Sequence, residues 1–173
     1  MKKLFVHKFK TPIGWIRVAS TNKGLALVSL GKDGKAQFDS AVEKDFSDYH
    51  VLAGGNLNKR AEKQIGSYLT GRLKKFTLPL DLRGTPFQVK ALRRVASIPY
   101  GQVRTYGRIA SGIGKPRASR AVGGANATNP LPLVIPCHRV VASGGLGGYG
   151  GGLALKKRLL ELEGIDIHAV KEK

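Results

Sequence analysis

The chain has 173 residues and a formal net charge of +19 at pH 7, a length that allows one or two domains with buried cores. Its single cysteine excludes an internal disulfide and a zinc site built on several thiolates, so no metal is expected. The same usage fits a reducing compartment, and the charged opening MKKLFVHKFK with no membrane-length apolar run predicts a cytoplasmic protein with no membrane partner.

Three apolar runs, Leu4 to Phe9, Trp15 to Ser20 and Leu25 to Leu30, are divided by TPIG and TNKG and predict an antiparallel meander. Phe38, Val42 and Phe46 at i, i+4 spacing predict a helix. Ala61, Ile65, Tyr68 and Leu69 predict a second, stopped at Gly71. Phe76 to Leu80 is a candidate further strand. Strands and helices segregated in this way define an α+β domain over residues 1–80, with 81–84 as linker and 85–173 as a second, mostly helical domain.

That second domain opens with Thr85-Pro86-Phe87-Gln88, a capping box with proline at the first helical position. Phe87, Ala91, Leu92, Val95 and Ile98 form its apolar face, and Pro99 ends it. A short helix over Thr105 to Ser111, the breaker-rich GIGKP and the segment RASRAVGGAN follow. In the last of these Ala118, Ala121, Val122 and Ala125 face inward, while Arg117, Arg120 and Gly124 share the other face. Two short helices around a glycine-containing turn, the second presenting arginines, predict a helix-turn-helix. Gly123 and Gly124 within a helix each cost about 1 kcal/mol relative to alanine, so close approach of another backbone is required, either nucleic acid or a packed helix. Ser143 to Gly152, SGGLGGYGGG, predicts a flexible loop able to close over a site.

From Leu82 to Leu160 there is no Asp or Glu, although Lys and Arg recur throughout. A device for solubility intersperses both signs; a one-signed stretch favours a polyanion such as nucleic acid.

The lone thiol, Cys137, stands in the apolar run LPLVIPCHRVV, and packing as a small hydrophobe is the plain explanation for it. Acting as a nucleophile requires the thiolate, hence a base or a positive field. His138 is adjacent, but neighbours on a strand point to opposite faces, so pairing demands a bend or a bridging water. Pro136 makes such a departure from regular structure available. Glu163 is the strongest oddity. In LALKKRLLELEG the apolar stripe is Leu153, Leu155, Leu159, Leu160 and Leu162, and Glu163 falls near its middle, in the last turn, where its charge opposes the helix dipole. It therefore needs a buried partner. A histidine held in one tautomer fits, as does an ion pair with Arg139 or Lys156 at a frayed helix end.

From Thr85 to Gly164 the motifs PYGQVRTYG, RAVGGA, NPLPLVIPCHRVV, GYGGGLALKK and LLELEG resemble, in order, those of the O6-alkylguanine-DNA alkyltransferases. The N-terminal domain agrees only in position and in its strand-then-helix order. The resemblance implies a ribonuclease-H-like first domain and a winged-helix-like second domain. It also implies direct reversal of DNA damage: Cys137 accepts an alkyl group once, irreversibly, from O6 of guanine, with O4 of thymine as a further target. His138 then draws the thiol proton through a water, Glu163 orients the histidine, and Asn129 tethers the segments near the thiol.

By the same resemblance Arg120 is an arginine finger entering the base stack, and Tyr106 promotes rotation of the nucleotide. Pro132, Cys137, Val140 and Tyr149 form the pocket. Arg117, Ala121, Gly123 and Gly124 meet double-stranded DNA in the minor groove, and no cofactor is needed by what is expected to be a monomer. Gly150 stands where many members carry serine, so a hydroxyl contact to the base is absent. Three other readings compete: a non-enzymatic lesion-binding relative, a helix-turn-helix regulator and a turnover thiol hydrolase. The first lacks the acceptor cysteine, the second has no use for Cys137, His138 and Glu163 together, and the third predicts many products per molecule.

Overall fold

Alternating apolar residues and tight turns set the first strands. β1 (Lys2–Thr11), β2 (Gly14–Ser20) and β3 (Leu25–Leu30) pair antiparallel in sequence order. Thr11 holds the first turn, its hydroxyl donating to Gly14 O at 2.7 Å and accepting from Ile13 N at 3.2 Å. The sheet is not wholly antiparallel, however. α1 (Gly34–Asp45) leads into β4 (Tyr49–Ala53), which pairs parallel with β1 and gives the order β3-β2-β1-β4.

Strand alternation divides the two faces of the sheet. Leu4, Ala19 and Leu27 cluster with Phe38 and Phe46 on the α1 side. Phe5 and His7 face the other way, toward α2 (Asn56–Leu69), where His7 Nε2 meets Glu62 at 2.6 Å. Ala61, Ile65 and Tyr68 of α2 are fully buried. Burying a large apolar side chain contributes about 1.5–3 kcal/mol, so this stripe, not helix propensity, fixes α2.

Phe76 to Leu80 forms no strand; only Leu80 bridges to Leu25, because Pro79 has no N–H to give a ladder. Within residues 81–84, expected as the linker, Asp81 and Arg83 make side-chain contacts. Asp81 accepts from Thr21 Oγ1 at 2.7 Å and from Arg83 at 2.9 Å, and the Arg83 guanidinium lies 4.4 Å from the Phe46 ring centre. The structure, a computed structural model, describes residues 1–170, and the chain divides into two units, Met1–Arg83 and Gly84–Lys173.

In the second unit α3 (Pro86–Ala96) begins at a reciprocal capping box: Gln88 N donates to Thr85 Oγ1 at 3.2 Å, and Thr85 N donates to Gln88 Oε1 at 2.9 Å. α4 (Tyr106–Gly112) starts on a second threonine cap, Thr105, and α5 (Ser119–Ala127) follows after a turn, completing the helix pair. Val122 and Ala125 are the buried residues of α5; Ala121, expected inward, is exposed. A methyl group added at Gly124 meets nothing within 4 Å, and at Gly123 only a Tyr106 ring carbon at 3.9 Å. Helix packing within the unit therefore does not require either glycine.

The run LPLVIPCHRVV folds as turns, not as a strand. Leu133 takes a left-handed φ of 71°, which costs a non-glycine residue about 1–2 kcal/mol, and Ile135 N bonds back to Leu131 O at 2.8 Å. After Pro136, Cys137–Arg139 makes a single 3-10 turn. β6 (Val140–Val141) then pairs parallel with β5 (Arg104–Thr105), bringing the cysteine turn beside the start of α4. α6 (Leu153–Leu162) and α7 (Ile167–Val170) complete the unit, with Leu160 and Val170 clustered on Val141 and Leu146. Leu146 anchors the glycine-rich segment. Leu153 is 49% exposed despite its place in the expected stripe, and Lys156 points inward instead. No helix among the described residues is long and apolar enough to cross a membrane.

Candidate functional site

Cys137 opens the 3-10 turn, is 6% exposed, and lines a cleft of about 300 Å³ together with Tyr106, Gly123, Asn126, Tyr149 and Gly150. Burial pushes its thiol pKa up; a hydrogen bond with Asn129 and the charge of Lys156 act in the opposite direction. The resting group is thus a protonated thiol that needs a base. Asn129 also shapes the approach to it. Its Nδ2 donates to Ile135 O at 3.0 Å and its Oδ1 accepts from Leu131 N at 2.9 Å, tying together both ends of the preceding turn.

The His138 ring is completely buried. A carboxylate only accepts, so the 2.7 Å contact between His138 Nε2 and Glu163 Oε1 places the proton on Nε2 and makes Nδ1 the basic nitrogen. Burial lowers the His138 pKa, with Glu163 opposing and the charges of Arg139 and Lys156 reinforcing the drop. The imidazole is therefore neutral at pH 7, the form that can take a proton.

Glu163 is the residue that follows α6, and it is buried. Besides His138, it accepts from Arg139 Nε at 2.9 Å, from Arg139 Nη2 at 2.9 Å and from Gly101 N at 3.0 Å. Both partners weighed from sequence, a histidine and Arg139, thus meet one carboxylate, while Lys156 does not. Arg139 is itself buried and donates through Nη1 to Ile98 O at 2.7 Å. A buried ion pair of this kind needs further hydrogen bonds around it, here between Arg139 and Ile98 O and between Gly101 N and Glu163.

Lys156 was not legible as a site residue. It is fully buried, and its Nζ donates to the carbonyls of Val140 at 2.7 Å, Leu146 at 2.5 Å and Gly148 at 3.0 Å. This ammonium fastens the glycine-rich segment to the strand that follows the cysteine turn. Burial lowers its pKa to about 8, so it remains charged at pH 7. Its spacing from Leu159 and Leu160 was the available signal, since residues at i+3 and i+4 share a helix face. Asn126 was also missed, and no sequence pattern marks it. Its Oδ1 and the Tyr149 hydroxyl are buried without a hydrogen-bond partner among the described residues and belong to residues lining the Cys137 cleft.

Of the residues expected from the resemblance, Tyr106, Gly123, Tyr149 and Gly150 meet Cys137 at the cleft. Pro132 and Val140 are not among its walls: Pro132 bridges to Ile135 in the preceding turn, and the Val140 carbonyl is taken by Lys156. Arg117, Arg120, Ala121 and Gly124 are exposed on the helix pair. Among the described residues no group of His, Cys, Asp and Glu is placed to hold a metal ion.

These ionisations give a pH prediction for reaction of Cys137 with a free O6-benzylguanine base. Protonation of His138, whose pKa is lowered by burial, removes the base on the acid side. Loss of the Lys156 proton near pH 8 removes the adjacent positive charge and the clasp on the alkaline side. The observed rate constant is expected to fall on the acid side of neutrality, hold through pH 7 and break near pH 8, as followed by stopped-flow across the pH range. A rate that keeps climbing through pH 9 contradicts the role of Lys156.

Fold and site together define a two-unit α+β protein whose reactive group is a buried thiol, backed by a His-Glu-Arg network and set beside a helix pair. Residues 4–82 match the family model described as 6-O-methylguanine DNA methyltransferase, ribonuclease-like domain, and residues 86–165 match the corresponding DNA binding domain. The chain belongs to the 6-O-methylguanine DNA methyltransferase family. It is 43% identical over 160 residues to a methylated-DNA–protein-cysteine methyltransferase of Methanosarcina acetivorans, covering 90% of this chain and 96% of the relative. A protein of the same name from Mycolicibacterium paratuberculosis is 55% identical over 104 residues, 60% of this chain and 63% of the relative. The crystal structure of Mycobacterium tuberculosis OGT in complex with DNA superposes with a TM-score of 0.78 at 37% identity, covering 92% of each chain.

Proposed function

We propose that this protein repairs DNA by direct reversal, transferring a methyl or other alkyl group from O6 of guanine to Cys137. The observation that carries the reading is the placement of one buried thiol on a base-sized cleft, with a neutral, carboxylate-oriented histidine next to it in sequence. His138 takes the thiol proton. The sulfur attacks the alkyl carbon, a C–S bond forms as the C–O6 bond breaks, and guanine leaves with the electron pair and regains a proton. Nothing in this sequence of steps restores the thiol, so each molecule acts once. A free acceptor thiol requires a reducing compartment such as the cytoplasm.

Double-stranded DNA is the partner. Reaching O6 requires that the damaged nucleotide leave the stack, at a cost of a few kcal/mol, and the helix pair supplies what offsets that cost. Exposed Arg120 fills the gap from the minor groove, Arg117 contacts phosphate, and the open surface over Gly124 lets the DNA backbone approach α5. The buried hydroxyl of Tyr149, the backbone of Gly150 and the Tyr106 ring then meet the flipped base. One acceptor per chain fits a monomer acting on each lesion.

The test is stoichiometry. Restored guanine in an O6-methylguanine duplex is expected to plateau at one equivalent per protein molecule; continued turnover would favour a hydrolase, and none a lesion-binding role. Arg120→Ala is expected to slow repair of duplex by about tenfold or more, the order of a lost charge-assisted contact, while the reaction with free O6-benzylguanine keeps its rate. Equal losses on both would remove the gap-filling role.

A further inference from the structure

A second cleft in the Gly84–Lys173 unit, of about 190 Å³, lies between α3 and α4 and is lined by Arg94, Arg104 and Arg108 with Ser97, Ile98 and Pro99. No carboxylate lines it, and none of its arginines is ion-paired among the described residues. Glu163, the buried acid near Ile98, is already engaged by His138 and Arg139.

One of the three guanidinium groups is held by hydrogen bonds. Arg104 donates to Val103 O and to Gln102 Oε1, both at 2.8 Å, which uses two of its five N–H donors. Arg94 lies across the end of α4, where a methyl group at Gly112 would stand 2.7 Å from its Nε. A fixed fork with spare donors, such as Arg104, loses little entropy on binding and matches the oxygens of a phosphodiester.

We propose that this cleft seats a backbone phosphate of the bound DNA, on the far side of α4 from the alkyl-acceptor cleft. Tyr106 serves the first cleft and Arg108 the second; two residues along a helix turn by about 200°, so the two sites flank α4. A helix diameter of about 10 Å, set against a strand rise of 3.4 Å per nucleotide, puts the seated phosphate about three nucleotides from the flipped base. The proposal rests on DNA being the partner.

The test measures affinity of the full chain for a lesion-bearing duplex across a salt series. In the triple variant R94Q/R104Q/R108Q the slope of log K against log salt is expected to become shallower by about one, while alkyl transfer from free O6-benzylguanine, which has no phosphate and reports an intact second unit, is unchanged. The matching lysine triple, which keeps the charge, is expected to retain most of the slope. Neutralising Lys59, Arg60 and Lys63 on α2, an equal loss of charge on exposed residues, is expected to leave the slope as it was. An unchanged slope in the arginine triple, or an equal loss in the α2 control, overturns the seat alone. A wild-type chain without duplex affinity overturns both the seat and the reading of DNA as partner.

Discussion

Glu163→Ala is expected to destabilise the Gly84–Lys173 unit by about 3–5 kcal/mol, the cost of stripping a buried charge of its partner. Arg139 is 6% exposed and would lose its ion pair, keeping the Ile98 carbonyl and the Tyr100 ring; the Gly101 N–H and His138 Nε2 lose the Glu163 carboxylate in the same step. Hydrogen exchange of the cysteine turn and α6 would report the loss directly, and a change under 1 kcal/mol would show that the network is not load-sharing as described. Glu163→Gln also removes the charge facing Arg139, but it keeps the side chain's volume, so a smaller loss of stability than in Glu163→Ala is expected. The amide keeps the shape and one acceptor but no longer holds the imidazole by charge, so alkyl transfer should slow by about 10²-fold or more, in the range of a lost general base, with duplex affinity nearly unchanged.

The second large effect is expected at Lys156→Met. The thioether fills the same space but donates nothing, so the carbonyls of Val140, Leu146 and Gly148 lose a shared ammonium. Gly148 and its neighbours Tyr149 and Gly150 line the Cys137 cleft, and a displacement of about 1 Å in such a wall can cost about 10²-fold in rate. The loss should appear with free O6-benzylguanine as well as with duplex, and the break near pH 8 should vanish with the lysine. A variant with the wild-type rate, or one that keeps the alkaline break, would assign Lys156 to packing alone.

Legibility varied with the kind of signal a residue gives. The Thr85 capping box and the stripe of α2 were readable because local hydrogen bonding and the 3.6-residue period act within a few residues. Glu163 was readable because a carboxylate in an apolar stripe demands a partner, although the sequence left open that histidine and arginine would share it. β4 was not readable: Val51 is 45% exposed, so the strand has no buried face to show as alternation, and its order comes from parallel pairing with a strand more than forty residues earlier. Lys156 hid for a related reason, since KKR reads as a solvated basic patch until the carbonyls around it are placed. The turn at Cys137 was hidden by composition, because an apolar run reads as a strand and only the left-handed Leu133 and the Asn129 tether bend it.

Mass mapping of the Cys137 peptide after incubation with an O6-methylguanine duplex tests the central claim most directly. A single methyl group on Cys137, matched one for one by guanine restored in the DNA and absent from the Cys137→Ser protein, is the result expected. Restored guanine with an unmodified Cys137, or methyl groups on other residues in the Cys137→Ser protein, would contradict it.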